Sequence, residues 1–332
     1  MSEVVVVTGA SAGLGRAIAC EFARRGARIG LIARGRSRLE AAQREMRELG
    51  GEALVLPGDV ADPEHIESAA AAVEREFGPI DVWVNNAMAT VFAPFVEVTP
   101  AEFKRATEVT YLGFVYGTMT ALKRMRPRNK GVIVQVGSAL AYRSIPLQSA
   151  YCGAKHGMVG FTDSVRSELI HEKSDIHIVV VHAPAMNTPQ FSWCRSKLPN
   201  HPQPVPPIYE PEVAARAVYA AAHSRRREIY VGVPTVAVIY GQEIAPGFAD
   251  RYLGRTGFES QQTHEPVPPD RQDNLFEPVE GDWGAHGVFG DRASSSSPQT
   301  WLNLHRGAAA AAVAGLGLFA FAAIRSTTKR PT

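Results

Sequence analysis

The 332 residues carry 35 Lys and Arg against 33 Asp and Glu, a formal net charge of +2, and 45% are apolar. That supports one sizeable core with additional segments, and a balanced charge with no basic patch among aromatics argues against nucleic acid as a partner. Cys20, Cys152 and Cys194 show neither CxxC nor metal-ligand spacing, so reduced thiols and no metal are expected.

The chain opens on EVVVV and passes at once into TGASAGLGRAIACEFARRG, which reads as strand, glycine turn and helix, with no secretory leader before it. Gly9 permits the turn, Gly13 permits close approach of a pyrophosphate, and Gly15 permits tight packing. The phosphates would sit at the helix N-terminus, where unpaired N–H groups point outward. A second strand, RIGLIA, ends in Ala33, Arg34, Gly35 and Arg36 without an acid. Arg34, helped by Arg36, suits the 2′-phosphate of NADP(H) better than the ribose of NAD(H); a solvated basic helix start is the plainer alternative. Further apolar runs follow at ALVL, DVWVNN, GVIVQVG and IHIVVVH, and EIYVG near residue 228 supplies a seventh. Segments of helical length separate them. The expected fold is therefore α/β, a doubly wound Rossmann arrangement with a seven-stranded parallel sheet covered by helices.

Tyr151 and Lys155 stand four apart in YCGAK, with Ser138 thirteen residues upstream of Tyr151 at the end of an apolar run. On a helix, i and i+4 share a face, so an ammonium at Lys155 favours the phenolate of Tyr151. Ser138, arriving from a strand end, is placed to hold the oxygen that gains or loses the proton. Alone, this spacing more often marks an exposed Tyr and a solvated Lys than an active site; the glycine turn is the independent signal that favours chemistry. Cys152 and His156 beside the pair read as packing residues.

The TGxxxGxG spacing, taken with Ser138 and YCGAK, resembles the short-chain dehydrogenase/reductase family, single-domain branch, over roughly residues 3 to 235. The resemblance implies cofactor contacts from Gly9, Ser11, Gly13, Leu14 and Gly15, then from Arg34. It adds Asp59 and Val60 in GDV near the adenine, Asn86 and Ala87 in DVWVNNAM, and Thr188 in HAPAMNTP at the nicotinamide carboxamide. Tyr151 is then the general acid/base, Ser138 its partner, and Lys155 both cofactor contact and pKa modifier. Three positions depart from the family pattern. Met88 replaces a glycine, Ala185 replaces the glycine of a PG pair, and Thr110 in VTYLG stands where an Asn would hold a water leading to the lysine. Thr110 is counted with the catalytic set, with fewer hydrogen-bonding positions than an amide.

The function implied is an NADP(H)-dependent oxidoreductase interconverting a carbonyl and a secondary or primary alcohol. A cofactor-binding scaffold protein of low turnover at a membrane is the alternative, and epimerase or dehydratase chemistry a third, opposed by the glycine spacing. The family implies pairing into homo-dimers or homo-tetramers through segments 101–126 and 149–171. Substrate contacts are expected between Thr188 and Pro207, with Phe191 and Trp193 as a clamp or as packing, and Tyr142 in the pocket wall.

By composition the Rossmann domain occupies 1–241, followed by an irregular Pro, Gly and acid-rich extension at 242–292 and a serine-rich linker at 293–306. Residues 307–324, GAAAAAVAGLGLFAFAAI, are eighteen residues without a charge, flanked by Trp301, Arg306 and the basic tail 325–332. A C-terminal membrane helix on the cytoplasmic face is the leading reading; a helix packed on protein and an alanine-rich disordered tail are the others.

Overall fold

Runs of β-branched residues form the seven parallel strands of one sheet: β1 (Val4–Thr8), β2 (Arg28–Ala33), β3 (Glu52–Pro57), β4 (Val82–Asn85), β5 (Val132–Ser138), β6 (His177–Ala183) and β7 (Glu228–Tyr230). The computed structural model describes residues 2–268 and 270–307. Their spatial order is β7-β6-β5-β4-β1-β2-β3, so the order reverses between β1 and β4, where a ligand crevice belongs. The longest register, Val132↔His177 through Ser138↔Ala183, carries β5 and β6 side by side to the cleft.

Alternation along β1 divides the core. Val5 and Val7 pack with α1 (Gly13–Ala23), α2 (Arg36–Glu48) and α8 (Pro211–Ala222). Val4 and Val6 face the other way, toward α3 (Pro63–Phe77) and residues such as Trp83 and Ile133. Caps set the helix starts away from the cleft: Asp62 accepts from the amides of Glu64 and His65, and Thr99 and Glu102 form a capping box on α4 (Pro100–Thr107). A π-helical turn at Glu108–Leu112 joins α4 to α5 (Gly113–Met125), α6 (Ser149–His171) follows β5, and the short α7 (Gln190–Trp193) follows β6. Such turns reorient side chains locally.

The C-terminal third differs from its compositional reading. Residues on both sides of 241 form α9 (Val233–Ile244) and α10 (Pro246–Thr256), so the extension begins as two helices rather than as irregular chain. Gln262–Pro266 then pairs antiparallel with Asn200–Pro202. The serine-rich stretch is no free linker either: Ala293–Ser294 pairs with Ile208–Tyr209, and Ser297 caps the next helix, Pro298–Leu304. Serine before proline is a helix-start signal as well as a linker signal, and here burial of Ser297 and Thr300 decides between them. Among the described residues no helix is long and apolar enough to cross a membrane. Residues 308–332, which hold all but the first residue of the expected membrane helix, lie outside the described residues.

Candidate active site

A cleft of about 700 Å³ opens at the carboxyl ends of the central strands, and the residues assigned above to cofactor binding line it, together with Ser138, except Arg36, which lies outside it beside Glu40. The glycine turn has the backbone its residues require. Gly13 sits at φ +58, and a Cβ on Gly15 would lie 2.2 Å from the carbonyl oxygen of Gly9. The N-cap of α1 is Ala12, with no side-chain cap, so no side chain competes for the N-terminal amides, and the first of them, on Gly13, donates to the carbonyl of Gly284. Asn86 braces the floor: its amide side chain donates to the carbonyl of Thr8, while the Thr8 hydroxyl accepts from the backbone N–H groups of Asn86 and Ala87.

Three guanidinium groups gather near the end of β2. Arg34 and Arg38 line the cleft, and Arg105 pairs with Asp59. Burial, then repulsion from Arg105, lowers the proton affinity of Arg34. Positive charge in excess of its counter-ions, beside a helix N-terminus, suits a phosphate. The Asp59 carboxylate is committed to Arg105 and to the amide of Ala61, so the sequence missed a residue that competes for it.

Tyr151 and Lys155, one turn apart on α6, reach the cleft from below Ser138 at the end of β5. Lys155 is buried; its Nζ donates to the carbonyl of Val136 at 2.7 Å and lies 4.2 Å from the centre of the Phe114 ring, against 5.7 Å from that of Tyr151. Desolvation holds its ammonium down to about 7. Burial likewise pushes the Tyr151 phenol up, with the Ser138 hydroxyl pulling it back. The pair is thus poised by desolvation of both partners, which favours two neutral groups, whereas the spacing alone suggested an ammonium lowering the phenol. The Ser138 hydroxyl accepts from Leu140 N–H at 3.1 Å, capping the short turn after β5.

Thr110 does not line the cleft. Its hydroxyl donates to the carbonyl of Ala89 and accepts from the amide of Ala89, so it stitches the π-helical turn to the loop after β4, and no hydrogen bond joins it to Lys155. Tyr142 turns away from the expected pocket wall and donates to Glu228. Phe191 and Trp193 do line the cleft, but both are packed: Phe191 against Phe92 and Phe289, Trp193 edge-on to Trp283 at 5.0 Å. The backbone carrying Thr188 is tied through Ala185, whose carbonyl accepts from Tyr209 N–H.

The largest feature that sequence reading missed is a strap, residues 271–293, laid across the cofactor side of the cleft. Arg34 donates to the carbonyls of Asn274, Leu275 and Phe276. Asp282 pairs with Arg16, and Gly284 accepts from the amide of Gly13. Arg271 donates to the carbonyls of Phe191, Ser192 and Cys194. The scattered aromatics Phe276, Trp283 and Phe289 were the available signal, but not which surface they would meet.

The short chain dehydrogenase family model matches residues 3–198, well over half of the chain. The chain belongs to the short chain dehydrogenase family. An "uncharacterized oxidoreductase" of Bacillus subtilis, YxnA, is 32% identical over 279 residues, covering 83% of this chain and 78% of that protein. Among solved structures, an alcohol dehydrogenase from the archaeon Thermococcus sibiricus complexed with 5-hydroxy-NADP superposes with a TM-score of 0.60 at 28% identity, covering 70% of this chain and 96% of that one. A metagenomic short-chain oxidoreductase in complex with NADP gives 0.58 at 28% identity over 69% of this chain and 96% of that one. In this short chain dehydrogenase the strap lies beyond the matched residues 3–198.

Proposed function

We propose that this short chain dehydrogenase transfers hydride between NADP(H) and an apolar carbonyl compound or the matching alcohol. The observation that carries the reading is the convergence of Ser138, Tyr151 and Lys155 on the same cleft as the glycine turn. The residues fit the cofactor: an N-terminus of α1 uncapped by a side chain would receive the pyrophosphate, Arg34 and Arg38 the 2′-phosphate, and Thr188 the carboxamide. When bound, the nicotinamide supplies or accepts the hydride. Tyr151 gives the proton to the substrate oxygen or removes it, Ser138 holds that oxygen, and Lys155 shares the charge that develops on the phenol.

At the substrate end the cleft is walled by Ile145, Val205, Val238, Phe248 and Tyr252, which supports an apolar substrate. Thr110 is then read as holding the Ala89 loop rather than relaying protons. Oligomers through segments 101–126 and 149–171, and a membrane anchor at 307–324, belong to the same proposal. Sedimentation tests the first, and membrane fractionation of the full chain against one ending at Arg306 tests the second.

The experiment is cofactor consumption with a panel of ketones and aldehydes. NADPH is expected to be oxidised in preference to NADH, Tyr151→Phe to lose turnover while still binding NADPH, and Arg34→Ala to weaken NADPH but not NADH. Retained turnover in Tyr151→Phe, or equal affinity for both cofactors in the parent, sinks the reading.

A further inference from the structure

Behind Ser138, on the side away from the cleft, lies a buried ionisable cluster that the reaction above does not use. His182 on β6 is fully buried. Its Nδ1 is 3.1 Å from the carbonyl oxygen of Ser138 and its Nε2 is 3.1 Å from a carboxylate oxygen of Glu228. That oxygen also accepts from the hydroxyls of Tyr142 and Tyr230, each at 2.9 Å, and the other accepts from Arg227 at 3.1 Å. Arg227 in turn pairs with Asp163 of α6. Gly137 on β5 leaves room for the ring, since a Cβ there would lie 2.7 Å from Nδ1.

Both ring nitrogens therefore face groups that only accept. A neutral imidazole has one N–H and one lone pair, so in either tautomer a lone pair would point at an oxygen lone pair. Glu228 does not resolve this by taking a proton. Its two oxygens already accept from the hydroxyls of Tyr142 and Tyr230 and from Arg227, bonds that favour the ionised carboxylate.

We propose that His182 is a positioning residue, held as an imidazolium that bridges Glu228 to the backbone carbonyl of Ser138 and so fixes the serine against Tyr151. The inference rests on the function proposed above. Ser138 is pinned from both ends: its carbonyl by a charge-assisted bond from His182, and its hydroxyl by Leu140 N–H. Glu228 extends the brace, because Tyr142, which it also holds, closes the turn that begins at Ser138. Removing either partner of this bridge frees the Ser138 carbonyl, so the structure predicts a loss of turnover without a loss of cofactor binding.

The direct test is nitrogen-15 NMR of histidine-labelled parent protein, with the His182 signals identified by their loss in His182→Gln. Both ring nitrogens are expected to carry protons at pH 7; a bare nitrogen there overturns the proposal. In kinetics, His182→Gln and Glu228→Gln are expected to lower kcat on the order of tenfold. NADPH affinity should stay within about twofold in both variants. Unchanged kcat, or an equal loss of NADPH binding, overturns it. Full turnover in Tyr151→Phe would instead remove the proposed function and leave the NMR result standing.

Discussion

At the residue scale, the burial that depresses the Lys155 ammonium also opposes folding. Its amine falls from 10.5 to about 7 by desolvation, so between those values the unfolded chain binds the extra proton. Stability is then lowered as pH falls from about 10.5 to 7, and the deficit stays constant below. The shift corresponds to roughly 4–5 kcal/mol, offset by about 1–2 kcal/mol for the bond to Val136 that a replacement forfeits. Lys155→Met is therefore expected to abolish turnover yet stabilise the protein by on the order of 3 kcal/mol at pH 7. Urea unfolding at pH 7 and pH 10.5 checks this: the gain should shrink at the higher pH, and a variant no more stable than the parent at pH 7 contradicts it. The trio and the glycine turn were legible because their spacing is local. Arg38, Arg105 and His182 were not, because each owes its role to partners such as Trp193, Asp59 and Glu228 that meet it only through the fold.

At the scale of elements, the strands declare themselves as continuous apolar runs, and α1 to α6 as the segments of helical length between them. The strap and the last three helices do not, because their Pro, Gly and Ser content is shared by loops, and their partners are far away in the chain. Trp283 reaches Trp193, and Asp282 reaches Arg16. Since Gly284 sits on the amide of Gly13 and three strap carbonyls hold Arg34, a dinucleotide that uses those groups must displace the strap to enter. Asp282→Ala with Trp283→Ala loosens the strap without replacing a residue that lines the cleft. The double variant is expected to bind NADPH about tenfold faster, which corresponds to about 1.4 kcal/mol of barrier. Stopped-flow fluorescence reads the rate, and an unaltered association rate would show that the strap does not obstruct the cofactor.

For the whole molecule, a sheet packed on both faces and the candidate cleft follow from the parallel strands, and the C-terminal third is joined to them by ion pairs together with backbone hydrogen bonds and aromatic contacts. Glu102, whose side chain is 3% exposed, illustrates the arrangement: it caps α4, accepts from Lys197 and Arg195 of the substrate loop, and Arg195 passes on to Asp273 at the strap. Burial pulls its carboxyl up, yet the bonds from Lys197, Thr99 and Arg195 prevail and hold it at about 2. Glu228 is depressed in the same sense. A carboxylate lowered in the folded state adds stability that is fully present above the ordinary value of 4.5 and is lost as pH falls toward 2. The urea midpoint of the parent should therefore be insensitive to these two groups from pH 5 to 7 and decline steeply below 4.5. Glu102→Gln leaves Lys197 and Arg195 without their shared counter-charge and should cost about 2 kcal/mol at pH 7, while its acid limb becomes shallower, because one of the two groups that must be protonated is gone. If the variant's limb is as steep as the parent's, Glu102 does not couple α4, the substrate loop and the strap, and their docking rests instead on apolar contacts such as Phe289 against Phe191.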